Sequence, residues 1–119
     1  MNWFSVGALC GFVGVLLGAF GAHGLKRIAT PEQLAWWSTA TQYLLVHALA
    51  LLAVGWLQTQ RPDSGLPGTA FLVGSVLFSG TLYAMGLGAP RWFGAITPLG
   101  GLALLLGWAS LAWQARTLN

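Results

Sequence analysis

Residues 1–25, MNWFSVGALCGFVGVLLGAFGAHGL, decide the architecture. The stretch holds no Asp, Glu, Lys or Arg, and a helix rising ~1.5 Å per residue needs only about 20 residues to cross a ~30 Å hydrocarbon core. Gly7, Gly11, Gly14, Gly18 and Gly21 recur at alternating spacings of four and three, which sets them on one helical face. A face without side chains is how membrane helices approach closely, because lipid supplies little hydrophobic drive between them. The stretch opens Met1-Asn2-Trp3, without the basic n-region of a cleaved leader. It is therefore expected to persist in the mature protein as a permanent span.

The rest of the chain keeps that character. Of 119 residues, 56% are hydrophobic and 6% charged, whereas soluble domains are about a quarter charged. Lys26, Arg27, Glu32, Arg61, Asp63, Arg91 and Arg116 separate four uncharged runs, at 1–25, 33–60, 64–90 and 92–115. None has the charged face that a water-soluble bundle requires. The expected fold is an all-α integral membrane protein: one domain over residues 1–119, a four-transmembrane-helix bundle with short loops and both termini on the same side. The spans are placed near 3–22, 31–59, 69–87 and 97–115. The formal charge of +3 lies at loop ends, a topology signal and not a nucleic-acid footprint. Lys26, Arg27 and Arg91 fall at one end, Arg61, Arg116 and the amino terminus at the other. The first and third connections are expected to face the cytoplasm of a bacterial inner membrane.

Local signals fix the ends. Thr30-Pro31-Glu32-Gln33 reads as a capped helix start, with Pro at the first position and Gln33 at the capping-box position. Thr97-Pro98 repeats that signature. The repetition fits either a duplicated helical hairpin or convergent use of a good helix start. Gln60–Gly68 reads as the clearest loop and Gly88–Arg91 as a tight return. Trp3, Phe4, Trp36, Trp37, Trp92 and Phe93 are expected at headgroup level, where aromatic rings concentrate.

Few residues carry chemistry. His47 lies midway along the second span, and Thr39, Tyr43 and His47 form a stripe at i, i+4, i+8, with Gln42 beside it. Ionisable groups at membrane depth are functional candidates by default. The bland alternative is an imidazole bonded across the bundle, to Tyr83 or Ser79 of the third span or to a carbonyl of the first. His23 is expected to cap the end of the first span. It and His47 should lie at different depths, so no shared metal or haem is expected. Gly100, Ala103, Gly107 and Ser110 give the fourth span its own small-residue row, and Ser75 and Ser79 lie on the third. Cys10 is alone, so it forms no intrachain disulfide and reads as a packing residue. GAFGAHG sits in a membrane run, follows no strand and is no phosphate loop. No carboxylate lies in any of the four uncharged runs, and no nucleophile–base–acid set is visible. No enzyme activity, cofactor or metal is expected.

GAFGAHGLKR at 18–27, TATQYLLVHALALL at 39–52, LFSGTLYAMGL at 77–87 and ITPLGGLALLLGWASLAW at 96–113 together resemble the YgdD-like family of small bacterial inner-membrane proteins. This is domain-of-unknown-function family 423, which has small eukaryotic transmembrane relatives. The resemblance implies a multipass protein whose molecular function is not established, and it brings no catalytic residues. Its motif positions correspond here to Gly18, Gly21, His23, Gly24, Gln42, Tyr43, His47, Pro98 and Gly107.

Three functions follow as expectations. The first is a structural or interaction protein that self-associates or joins a larger membrane complex, surrounded by membrane lipids. The second is a binding or transport module for a lipid, quinone or other small hydrophobic ligand, using Gln42, Tyr43 and His47. The third is proton or ion conduction through His47. The glycine row is expected to dock on the second span beneath Tyr43 and His47, or on the fourth.

Overall fold

The computed structural model describes residues 1–62 and 65–118. Among them all regular structure is helical: α1 (Trp3–Ala22), α2 (Pro31–Gln60), α3 (Gly65–Gly86) and α4 (Thr97–Ala115), with short 3-10 turns at Leu25–Arg27 and Arg91–Ala95. All four helices are long and apolar enough to cross a membrane, with mean hydropathy between 1.4 and 2.0. The molecule measures 50 × 26 × 20 Å, and its long axis suits α2, which at ~1.5 Å per residue is about 45 Å long. Consecutive helices pack side by side, α1 on α2, α2 on α3 and α3 on α4. The two middle helices form the core; α1 and α4 leave most of their surface to lipid.

α1 docks on α2 through the glycine row. A Cβ at Gly7 would stand 2.8 Å from the Ala48 carbonyl oxygen, one at Gly14 2.6 Å from Leu45 Cδ2, and one at Gly21 2.4 Å from Trp37 Cδ1. Gly18 faces Thr41 at 3.1 Å, whereas Gly11 leaves 3.9 Å to Ala48. The same device, with the roles reversed, seats Phe4 on Gly55 of α2. On the other side, α4 docks on α3, with Gly100 against the Phe78 backbone, Gly107 against the Phe71 ring and Leu104 on Gly74. The small row of α4 therefore packs on α3 and not on α1. Tyr43 and His47 do not overlie the glycine row; Trp37, Thr41, Leu45 and Ala48 do.

The helix ends follow local chemistry. Thr30 and Gln33 form the expected reciprocal capping box, with Gln33 N–H donating to Thr30 Oγ1 at 3.1 Å and Thr30 N–H to Gln33 Oε1 at 2.9 Å. Thr97 does not repeat it. Ile96 occupies the N-cap of α4, and the Thr97 hydroxyl is bonded to that of Thr81 on α3 at 2.6 Å. The two Thr-Pro pairs are thus used differently. The structure also shortens the expected Gln60–Gly68 loop. α3 starts at Gly65, because Pro67 in a first turn loses only an N–H that has no intrahelical partner there. Asp63 and Ser64 of that expected loop lie outside the described residues. α3 ends in a Schellman turn: Gly88 is left-handed at φ 106°, Ala89 N–H reaches the Ala84 carbonyl at 2.9 Å, and Gly88 N–H that of Met85 at 3.0 Å.

Two tryptophans placed at headgroup level by sequence are buried instead. Trp3 is wedged over Gly68 of α3. Trp37 fills the space beside Gly21, packs edge-on to Tyr83 at 4.5 Å, and donates from its indole nitrogen to the Leu17 carbonyl at 2.7 Å. Each ring enters a socket left by a glycine, where it contacts far more protein than an interfacial ring would.

The graded clearances predict graded costs. Gly7→Ala must push against backbone and is expected to destabilise the fold by about 1–3 kcal/mol. Gly11→Ala, with room for a methyl group and better helix propensity, is expected to be neutral or slightly stabilising. Reversible unfolding in mixed micelles measures both.

Candidate functional site

The intramembrane polar residues do not form one site. His47 is buried between α2, α3 and α4, at 4% exposure. Its ring lies 5.6 Å from that of Phe71 and 5.7 Å from that of Trp108. The Trp108 indole N–H donates to Nε2 at 3.0 Å. Indole can only donate, so Nε2 is the unprotonated nitrogen and Nδ1 carries the proton. Nδ1–H then donates to the Tyr43 carbonyl of its own helix, 2.7 Å away. Both nitrogens of a neutral imidazole are satisfied inside the bundle. The partner anticipated from sequence was on the first or third span; it is on the fourth.

Tyr43 and Gln42 are exposed beside this histidine and share with it and Val46 a shallow depression of about 180 Å³. The Tyr43 ring stacks loosely with His47 and leans on Phe78 at 4.3 Å. Tyr83 is on the other side of α2, its hydroxyl bonded to that of Thr41 at 2.7 Å. His23 is at the C-cap of α1, where its backbone N–H reaches the Ala19 and Phe20 carbonyls at 3.1 and 3.3 Å, and its side chain is exposed. Among the described residues, no three His, Cys, Asp or Glu side chains come together as a metal site would require.

Other polar side chains tie neighbouring helices. Ser79 donates to the Ala40 carbonyl at 2.8 Å, and Arg61 at the far end donates to the Gln114 carbonyl at 3.0 Å. At the opposite end Arg91 pairs with Glu32 and lies over the Trp36 ring at 5.4 Å. These ties were missed because polar spacing on one helix does not reveal the rotation of its neighbour.

Two grooves between helices carry polar groups outside this cluster. The first runs between α1 and α3 with Leu44 at its base; it has a volume of about 340 Å³ and is almost wholly apolar. Ser75 lies in it at 5% exposure, and its hydroxyl has no hydrogen-bond partner among the described residues. Gly80 opens into the same groove, and a Cβ added there would meet nothing within 4 Å. The second groove, about 490 Å³, lies between the end of α1 and the start of α2 and has Lys26 at its rim.

The family described as "Protein of unknown function (DUF423)" matches residues 17–101. The chain is 44% identical over 117 residues to UPF0382 membrane protein C1782.12c of Schizosaccharomyces pombe, covering 93% of this chain and 98% of the relative. It is 42% identical to a UPF0382 membrane protein of Haemophilus influenzae, covering 94% and 91%. It is likewise 42% identical to UPF0382 membrane protein YwdK of Bacillus subtilis, covering 92% of each. No solved structure matches the chain.

The His47–Trp108 bond is expected to act as structural glue. A double-mutant cycle with His47→Ala and Trp108→Phe should give a coupling of about 0.5–1.5 kcal/mol in unfolding. A coupling near zero would show that the two side chains do not support each other.

Proposed function

The chain belongs to the DUF423 family of small membrane proteins, and from that premise we propose that it is a structural and interaction protein that self-associates within the bilayer, with no chemistry of its own. One observation carries the reading: the unfilled groove between α1 and α3. Polar groups in a span normally find partners, yet the Ser75 hydroxyl at the groove floor has none among the described residues. Gly80, beside it, receives no neighbouring side chain. A further transmembrane helix can bring its backbone and side chains close against the wall that Gly80 leaves open, a fit that flexible lipid tails do not match.

A second copy of the chain is the favoured occupant. The loops are short, so little surface outside the membrane is available for recognition. A twofold axis along the membrane normal brings like residues to like depths. The exposed rim residues Leu9 and Val76 would then meet the same rim of the copy. The ligand-binding and proton-conduction alternatives both lean on His47, whose two ring nitrogens are already engaged. A bacterial inner membrane remains part of the proposal; membrane residence itself rests on the four apolar spans and the named membrane relatives.

The test uses the space at Gly80. A Cβ at Gly80 meets nothing within 4 Å in the monomer, so with Gly80→Leu the folded chain should persist while self-association, measured by native mass in mild detergent, falls at least severalfold. In a Cys10→Ser background, Val76→Cys should cross-link between copies in native membranes, and Leu102→Cys on the outside of α4 should not. A strictly monomeric protein in both assays overturns the proposal.

A further inference from the structure

The second groove runs along the α1–α2 seam and holds polar groups that the packing of the bundle does not use. Gly18 and Gly21, seated against Thr41 and Trp37, form one wall with Ala22. Ser38, Thr41 and Gln42 of α2 form the other, with Lys26 at the rim. Its volume of about 490 Å³ lies within the ~300–1,000 Å³ range of small-molecule sites.

Three groups here lack partners among the described residues. The Lys26 ammonium has no carboxylate: Glu32, the acid at this end, is paired with Arg91. The hydroxyl of Ser38 and the amide of Gln42 are exposed and make no hydrogen bond. Gln42 is the more telling. It lies 11 residues past the start of α2, about 16 Å along the helix at ~1.5 Å per residue, and a turn and a half below Trp36. An amide that could make several hydrogen bonds is costly to leave bare in hydrocarbon. The groove thus presents, from the membrane surface inward, a cation, a hydroxyl and an amide, with Gly21 and Gly18 of α1 alongside.

That order matches one class of molecule. We propose that this groove binds the headgroup and ester region of an anionic phospholipid, its phosphate at Lys26, its ester carbonyls accepting from Ser38 and Gln42, and its acyl chains descending past Gly18. Arg27, exposed beside Lys26, adds to the field at the mouth. The binding chemistry shared with free phosphate is confined to Lys26; the amide below it distinguishes a lipid. This inference does not depend on self-association, which uses the opposite wall of α1.

The purified full chain in mild detergent is titrated with phosphatidylglycerol, phosphatidylcholine or inorganic phosphate, and bound species are read by native mass spectrometry. Phosphatidylglycerol should be retained about fivefold better than phosphatidylcholine, the ratio that one lysine near anionic lipid provides. Lys26→Gln should abolish that preference. Gln42→Leu should lower retention of both phospholipids while leaving the preference for phosphatidylglycerol. Arg116→Gln, a cation at the other end, should change nothing. Both groove side chains are solvent- or lipid-exposed, so the variants are expected to fold, and circular dichroism checks that they do. Equal retention of the two lipids, retention unaffected by Lys26→Gln and Gln42→Leu, or phosphate binding as tight as phosphatidylglycerol would each overturn the proposal.

Discussion

The contact on which the rest depends is the backbone-to-backbone seam between α1 and α2. α1 buries little of itself, and the strip it does bury is largely glycine. In water such a helix would have little to hold it, because the hydrophobic effect rewards apolar area and glycine offers almost none. In lipid the reckoning changes. Side chains facing outward lose nothing, and what remains is dispersion between closely apposed atoms. Removing five side chains from one face lets the main chain of α1 approach the carbonyl of Ala48 and the rings and methyls of α2. The outer face of the same helix, with Phe12, Val15 and Leu16 exposed, is then an ordinary lipid-facing surface.

Hydrogen bonds complete what packing begins. Trp37 joins α2 to α1, Ser79 and the Thr41–Tyr83 pair join α3 to α2, Trp108 joins α4 to α2, and Thr81–Thr97 joins α4 to α3. Each helix is tied to at least one neighbour by a bond formed within the membrane span or at its edge. Two of these bonds, from Trp37 and Ser79, end on helix carbonyls, whose second lone pair is free to accept. His47 belongs to this set. Its depth and its capacity to titrate made it look like a site, but its geometry is that of a crosslink.

Span positions and the glycine face were legible in the sequence because both are properties of one helix: charge-free length and a three–four rhythm. So was the Thr30–Gln33 cap, which is settled within four residues. The chain also resembled its family closely enough to be placed by its motifs. What was not legible depended on two helices at once. A tryptophan has the same character whether it floats at the headgroups or fills a glycine socket, and only the apposition of Gly21 and Gly68 decides for Trp37 and Trp3. The partner of His47 depends on the rotation of α4 about its axis, which its apolar sequence does not mark. The early start of α3 was hidden because proline and glycine signal a turn and also suit a first helical turn.

Depth separates the two open grooves. The α1–α3 groove lies at the level of Ser75, the eleventh of the 22 residues of α3, where lipid offers only hydrocarbon. The apolar walls and the opening at Gly80 there suit a helix as the proposed occupant. The α1–α2 groove opens beside Lys26, at the level where phosphates and esters are abundant, and its polar groups descend in the order in which a phospholipid presents its own. A protein occupant there would have to bring an anion and acceptors into a narrow cleft, whereas the membrane already holds them. The chemistry of the bilayer as a function of depth is therefore the reason for proposing different partners for grooves on either side of the same glycine helix.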